Sequence, residues 1–199
     1  MKHTSHAIVL GLRKHSDKVS MLHVFSLAEG RLTLQVYGAH GKHKQRAAFQ
    51  PLSIVELTYD VQPTRSIPTL STIDPVYLPE HIYDDIRRQS IALFVTEVVM
   101  LTLTHPLQEP ATYQFLDDFV HELNDTSEPE NLHISFLLRF AEHLGIGAPE
   151  AIISEQQLPS LASRTQRQQI VRQLCDYYLT NLDSFRLPKS LDILVEVFD

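Results

Sequence analysis

The stretch that decides the fold runs Gly30-Arg31-Leu32-Thr33-Leu34-Gln35-Val36-Tyr37-Gly38, followed by Ala39-His40-Gly41-Lys42-His43-Lys44-Gln45-Arg46. Leu32, Leu34 and Val36 alternate with Thr33, Gln35 and Tyr37, the period of a strand with one buried face. Gly30 follows Ala28-Glu29, where a hairpin turn needs a positive φ, so the strand before it ends near Ser26. That strand, residues 19–26, alternates loosely but carries Met21, Leu22, Val24 and Phe25. Further upstream, Ala7-Ile8-Val9-Leu10-Gly11-Leu12 is an apolar run closed off by the turn pair Ser16-Asp17. Downstream, residues 52–59 read as a fourth strand after Pro51, and residues 67–73 supply a fifth. Five short strands within about 75 residues, with no long helical period between them, predict a small closed barrel.

The period changes after Pro79. Ile82, Ile86, Phe94, Val95, Val98 and Leu101 fall three or four apart, one face of a long helix ended by Pro106. Phe115, Leu116, Phe119, Val120 and Leu123 mark a second helix. Phe136, Leu137, Phe140, Ala141 and Leu144 mark a third, with Gly145 placed to stop it. Ile170, Val171, Leu174, Tyr178 and Leu179 give a fourth, with Ser163 as its candidate N-cap. Leu191, Leu194, Val195 and Phe198 give a short last one. The expected fold class is α+β in two domains, an N-terminal OB-fold β-barrel over residues 1–79 and an all-α helical domain over residues 80–199.

Composition bounds what such a chain can do. With 43% hydrophobic and 21% charged residues in 199, a folded core is expected and wholesale disorder is not. A lone cysteine, Cys175, excludes an internal disulfide framework and a Cys-only zinc site. The N-terminus is polar, and the most apolar run, residues 91–103, contains Glu97 and falls short of the roughly 20 residues that span a bilayer. The expected compartment is the cytoplasm, at the nucleoid if the partner is DNA. The net charge of −7 taken alone argues against a grip on phosphates. Its distribution argues the other way. Residues 1–79 carry nine basic side chains (Lys2, Arg13, Lys14, Lys18, Arg31, Lys42, Lys44, Arg46, Arg65) against five acidic ones, whereas residues 80–199 carry eight against nineteen.

The densest cationic segment follows the decisive strand. Lys42, Lys44 and Arg46 alternate with His43 and Gln45 after two glycines, and no carboxylate occurs between Glu29 and Glu56. Flexible cations on a loop suit a phosphate backbone. A neighbouring loop with Arg13, Lys14 and Lys18 would complete the basic groove that OB barrels use. Phe25, Tyr37 and Phe49 are candidate stacking partners, each weighed against a core role. His3 and His6, and His40 and His43, have a spacing that invites a metal reading, but no cysteine stands near to complete four ligands. Catalytic signatures are missing: the sequence has no G-x-S-x-G, P-loop, dinucleotide fingerprint or H-E-x-x-H. Asp84-Asp85 and Asp117-Asp118 diverge on a helix and read as solvated faces. Glu97 reads as structural, paired with Arg139 or a helix end, and Cys175 as buried and inert.

These residues resemble the bacterial RecO recombination mediators. The resemblance runs through Ala7-Ile8-Val9-Leu10, Ser16-Asp17 and Val24-Phe25-Ser26, and is strongest at Gly30-Arg31-Leu32-Thr33-Leu34 with Gly38-Ala39. It continues in Ile86-Arg87-Arg88-Gln89-Ser90-Ile91-Ala92-Leu93-Phe94, in His143-Leu144-Gly145, and in the tail from Ser190 to Phe198. Many members carry a four-cysteine zinc insertion after the position of Gly145. Here residues 146–162 hold no cysteine, so no zinc and no other cofactor is carried over. The resemblance implies a non-enzymatic repair protein that binds single- and double-stranded DNA and anneals complementary strands. It also implies work with RecR to load RecA onto strands coated by single-strand-binding protein, whose acidic tail is a further partner. The expected phosphate contacts are Arg13, Lys14, Arg31, Lys42, Lys44 and Arg46, extended by Arg87 and Arg88. A protein-interaction scaffold whose barrel binds no nucleic acid is the alternative. A metal-dependent hydrolase using His3, His6, His40 and His43 is a third reading.

Overall fold

The structure, a computed structural model, describes all residues except 39–42, 63, 65, 106, 148, 150, 155–156, 159–160, 162 and 199, and the side chains of 43–45. Five strands, β1 (Lys2–Lys14), β2 (Val19–Ser26), β3 (Gly30–Tyr37), β4 (Ile54–Asp60) and β5 (Thr69–Tyr77), form a closed barrel in the order β1-β2-β3-β5-β4. That is the OB fold, and the closed barrel expected from the strand pattern. The long first strand serves two partners: residues from Lys2 to Ile8 pair with β4, and residues from Ala7 to Lys14 pair with β2 across a bulge between Val9 and Gly11. Alternation sends Val9, Leu22, Val24, Leu34, Val36, Val55, Leu57 and Tyr59 inward to one core. Ala48 joins that core from a short helix, α1 (His43–Ala48), set between β3 and β4.

Ala7-Ile8-Val9-Leu10 is apolar without alternation because both faces of β1 are covered here. Ala7 and Val9 belong to the barrel core, whereas Ile8, Leu10 and Phe25 are buried outside it. Farther along the chain, Leu103–His121 forms one compact unit with Met1–Glu80. Within this unit the Tyr77 and His121 rings stand 4.2 Å apart, and Asp117 feels the charge of His6. Gly30 has φ 68°, and a Cβ there would lie 1.9 Å from the Leu107 carbonyl oxygen, so glycine is required both by the turn and by the approaching chain.

The second unit comprises His81–Thr102 and Glu122–Asp199. Its helices are α2 (Glu80–Asp84), α3 (Ile86–Thr102), α5 (Leu132–His143), α6 (Arg164–Asn181) and α7 (Ser190–Val197). The intervening α4 (Pro110–Asp125) begins in the first unit and ends in the second. The single long helix expected from Ile82 to Leu101 is broken at Asp85. The Asp85 Oδ1 accepts the Arg87 amide at 2.9 Å, the geometry of an N-cap, so α3 starts afresh there. This corrects the reading of Asp84-Asp85 as a merely solvated face.

α3 is buried nearly all round, from Ser90 to Val99, and packs against α5 and α7. Glu97, polar within that apolar stretch, accepts the Ser190 amide at 2.8 Å and the Ser190 hydroxyl at 2.6 Å, which caps α7. The helix-end half of its expectation holds; Arg139 pairs with Glu122 instead, at 2.6 Å. Gly145 ends α5 as expected, at φ 72°, with its amide on Glu142 and the Ile146 amide on Ala141. Ser163 occupies the N-cap position of α6 without a side-chain cap bond. Cys175 is buried, and burial pushes its thiol up to about 12. Among the described residues no helix is long and apolar enough to cross a membrane.

Candidate nucleic-acid interface

Strand parity builds the outward face of the barrel. If Leu22 and Val24 point in, then Met21 and His23 point out; on β3 the outward set is Arg31, Thr33, Gln35 and Tyr37. The register places Met21 between Arg13 and Gln35, and His23 between Gly11 and Thr33. His23 Nδ1 lies 3.1 Å from the Thr33 hydroxyl. Burial lowers the His23 pKa to about 4, and the charges of Arg31 and Arg13 depress it further. Arg31 is also lowered, by its own burial and then by Arg13. The ring therefore sits neutral at pH 7 between two guanidinium groups, a local field that favours an incoming anion.

Each sequence-predicted cation has a distinct setting. Arg13 is exposed at the end of β1. Lys14, its neighbour, is exposed and paired with Asp17 at 2.9 Å. Arg31 is half-buried and donates to the Leu103 carbonyl at 3.4 Å. Arg46 is exposed on α1, a helical turn where a loop was expected. Lys42 and the Lys44 side chain lie outside the described residues, as does His40. The structure thus gathers Arg13 and Arg31 around His23.

Arg87 and Arg88 belong to the other unit, and both are engaged there. Arg87 pairs with Asp85 at 3.3 Å and Glu130 at 2.8 Å. Arg88, whose side chain is 15% exposed, binds Asp85 at 3.0 Å and donates to the carbonyls of Leu123 and Thr126 at the end of α4. Burial opposes ionisation of Asp85, but the hydrogen bonds and charges of these two arginines outweigh it and hold the carboxyl below its usual range. In the helical unit their guanidinium groups hold α3 and the end of α4 in place, with Arg87 still exposed and Arg88 largely covered.

Of the three aromatic candidates, Phe25 is buried and Phe49 packs against the barrel core, whereas Tyr37 is 55% exposed. His3 stacks on Tyr59 and faces Glu29, while His6 faces Glu56, so each has a local partner. Among the described residues no three His, Cys, Asp or Glu side chains cluster as metal ligands. The sequence reading missed His23, Thr33 and Gln35. Parity on β2 and β3 carried the signal, because the residues on either side of an inward Leu22–Leu34 pair along each strand must face out.

A closed five-stranded barrel with a helix between β3 and β4 and cations on its β2–β3 face is an OB-fold protein, here joined to a helical unit. Residues 1–79 match the family Recombination protein O N terminal, and residues 83–150 match Recombination protein O C terminal. The chain belongs to the RecO family, and its role lies in DNA repair and recombination. It is 25% identical to the DNA repair protein RecO of Flavobacterium johnsoniae, over 96% of this chain and 97% of that one. It is 27% identical to the DNA repair protein RecO of Porphyromonas gingivalis, over 98% of each. The first alignment spans 233 positions, more than the 199 of this chain, so that relative holds residues this chain lacks.

Proposed function

We propose that the chain is a non-enzymatic recombination mediator. It binds single- and double-stranded DNA on the barrel, anneals complementary strands, and with RecR helps load RecA onto strands coated by single-strand-binding protein. Its place of work is the cytoplasm, at the nucleoid. The observation that carries this reading is the pairing of Arg13 and Arg31 around His23 on the outward β2–β3 face. The exposed Arg46 and Lys14 are further phosphate contacts in this reading, and Lys42 and Lys44, which lie outside the described residues, join them by their place in the sequence. Arginine and lysine contacts of this kind neutralise backbone without reading base edges, so sequence preference is weak. Two strands held near one cationic surface keep their base edges free to pair, which is annealing.

The acidic tail of single-strand-binding protein meets a stretch, residues 80–199, with eleven more acidic than basic residues, so it needs a local basic spot. The neighbourhoods of Arg139 and of Arg164 to Arg172 are the candidates for that spot. The deciding experiment is annealing of complementary oligonucleotides, bare and pre-coated with single-strand-binding protein, across a salt series. Annealing that weakens steeply with salt is expected. Absence of annealing and of DNA binding at every salt concentration leaves only the scaffold reading.

A further inference from the structure

The barrel is joined most thinly between β3 and β5. One bridge, Gln35 opposite Thr69, links them, with the Gln35 amide donating to the Pro68 carbonyl at 2.8 Å. The strands run parallel, and beyond that bridge a cleft of about 100 Å³ opens, lined by Tyr37, Gly38, Phe49, Leu70, Ser71 and Thr72. Phe49 and Leu70 pack against the barrel core and give the cleft an apolar floor. Ser71 and Thr72 are exposed and set two hydroxyls at its rim. The Tyr37 ring forms an aromatic wall left half in solvent. Among the described residues no carboxylate lines the cleft.

Size and surroundings select the occupant. A sealed apolar cavity of about 150 Å³ takes benzene, so an open cleft of this volume takes one six-membered ring edge-on while its substituent stays in water. A floor of apolar atoms, an aromatic wall and two hydroxyls match a flat heterocycle with polar edges. The cationic helix α1 adjoins it: the Phe49 amide donates to the Arg46 carbonyl at 3.2 Å, and α1 packs on β5.

We propose that this cleft seats one pyrimidine base of a bound single strand, stacked on Tyr37 with its polar edge at Ser71 and Thr72. The proposal rests on the barrel binding DNA, and adds a base contact to a surface otherwise read as a phosphate grip.

The test uses the full chain and three strands of equal length: one wholly abasic, one with a single central thymidine, one with a single central adenosine. Phosphate number is constant, and isolated bases cannot stack on each other. The thymidine strand is expected to bind roughly tenfold tighter than the abasic strand, a typical yield of one base–aromatic stack, with a smaller gain for adenosine. Ser71→Trp fills the cleft from an exposed position, and Tyr37→Ala removes the wall. Each is expected to bring the thymidine gain to near unity while leaving the salt slope and the circular dichroism unchanged. A thymidine gain that survives in both folded variants, or equal binding of all three strands by the parent, overturns the proposal while DNA binding stands. An adenosine gain as large as that of thymidine overturns the pyrimidine assignment. Failure to bind any strand at low salt overturns the DNA-binding reading as well.

Discussion

In the barrel unit, Arg13 and Arg46 stand exposed, and Arg13 adds to a field with Arg31 around a neutral histidine. In the helical unit, Arg87 and Arg139 are held by carboxylates, Arg167 donates to the Leu161 carbonyl, and Arg88 is held by one carboxylate and two carbonyls. The same side chain is thus left exposed at two places in the barrel unit and built into hydrogen-bonded supports in the helical unit. Net charge does not separate these uses. What separates them is whether acidic side chains and helix ends lie within reach, because a guanidinium close to either is drawn into a fixed fork of hydrogen bonds.

This contrast can be broken by substitution, and the largest effect belongs to the basic segment. Joint replacement Lys42→Ala, Lys44→Ala, Arg46→Ala removes three of about five phosphate contacts. The log–log salt slope for single-stranded DNA is expected to fall from about −3.5 to about −1.4, with affinity near 0.1 M salt down about 100-fold. Thermal stability should hardly move. A folded triple variant with the parental slope sinks the assignment.

Arg88→Ala is the mirror image. Loss of the ion pair and of two donors to helix-end carbonyls is expected to cost about 2–3 kcal/mol in urea unfolding, with the salt slope of DNA binding unchanged. A slope shift with intact stability would return Arg88 to the interface.

The two units also respond to acid through different histidines. His133 in α5 is fully buried beside Phe198, its Nδ1 has no hydrogen-bond partner among the described residues, and burial lowers its pKa to about 3, helped by Arg167. A base with a lowered folded pKa stabilises above its unfolded value near 6.5, and that stability is lost as pH falls toward 3. At about 1.4 kcal/mol per pH unit, this group alone removes about 2 kcal/mol between pH 6.5 and 5. His133→Phe should flatten that acid limb in a pH series of unfolding curves; an unchanged limb would show that other groups set it.

His23 gives the smallest effect and the most specific. Its pKa in the free protein is about 4, and a phosphate beside it would raise that value, so the complex takes up a proton. DNA affinity should therefore rise as pH falls from 7 toward 5, and His23→Gln should remove this pH dependence while keeping most of the affinity. A pH profile identical in parent and variant would move the strand off this face.

Much of the fold was legible. Residues 19–26 match β2 at both ends because turn residues flank them on either side. β1 begins at Lys2, well before its apolar run, since pairing with β4 needs only backbone groups and leaves Lys2, His3 and Thr4 polar. The short helix α1 was invisible because six mostly polar residues carry no helical period. The break at Asp85 was hidden for a related reason: the apolar period runs straight across it, and only the Asp85 cap interrupts the helix. For the interface, sequence composition located the cations, yet could not tell Arg13 from Arg88. That distinction depends on Leu123 and Thr126, thirty-five and thirty-eight residues away, whose carbonyls happen to end a helix beside Arg88.

The barrel unit is built from two separated pieces of chain, Met1–Glu80 and Leu103–His121. During synthesis all five strands leave the ribosome before the second piece exists. Until then the place beside Gly30 that Leu107 takes in the finished protein stands empty. A gene fragment cut at residue 79 would lack that second piece of the unit. The place where the chain changes character and the place where the folded unit ends are about forty residues apart.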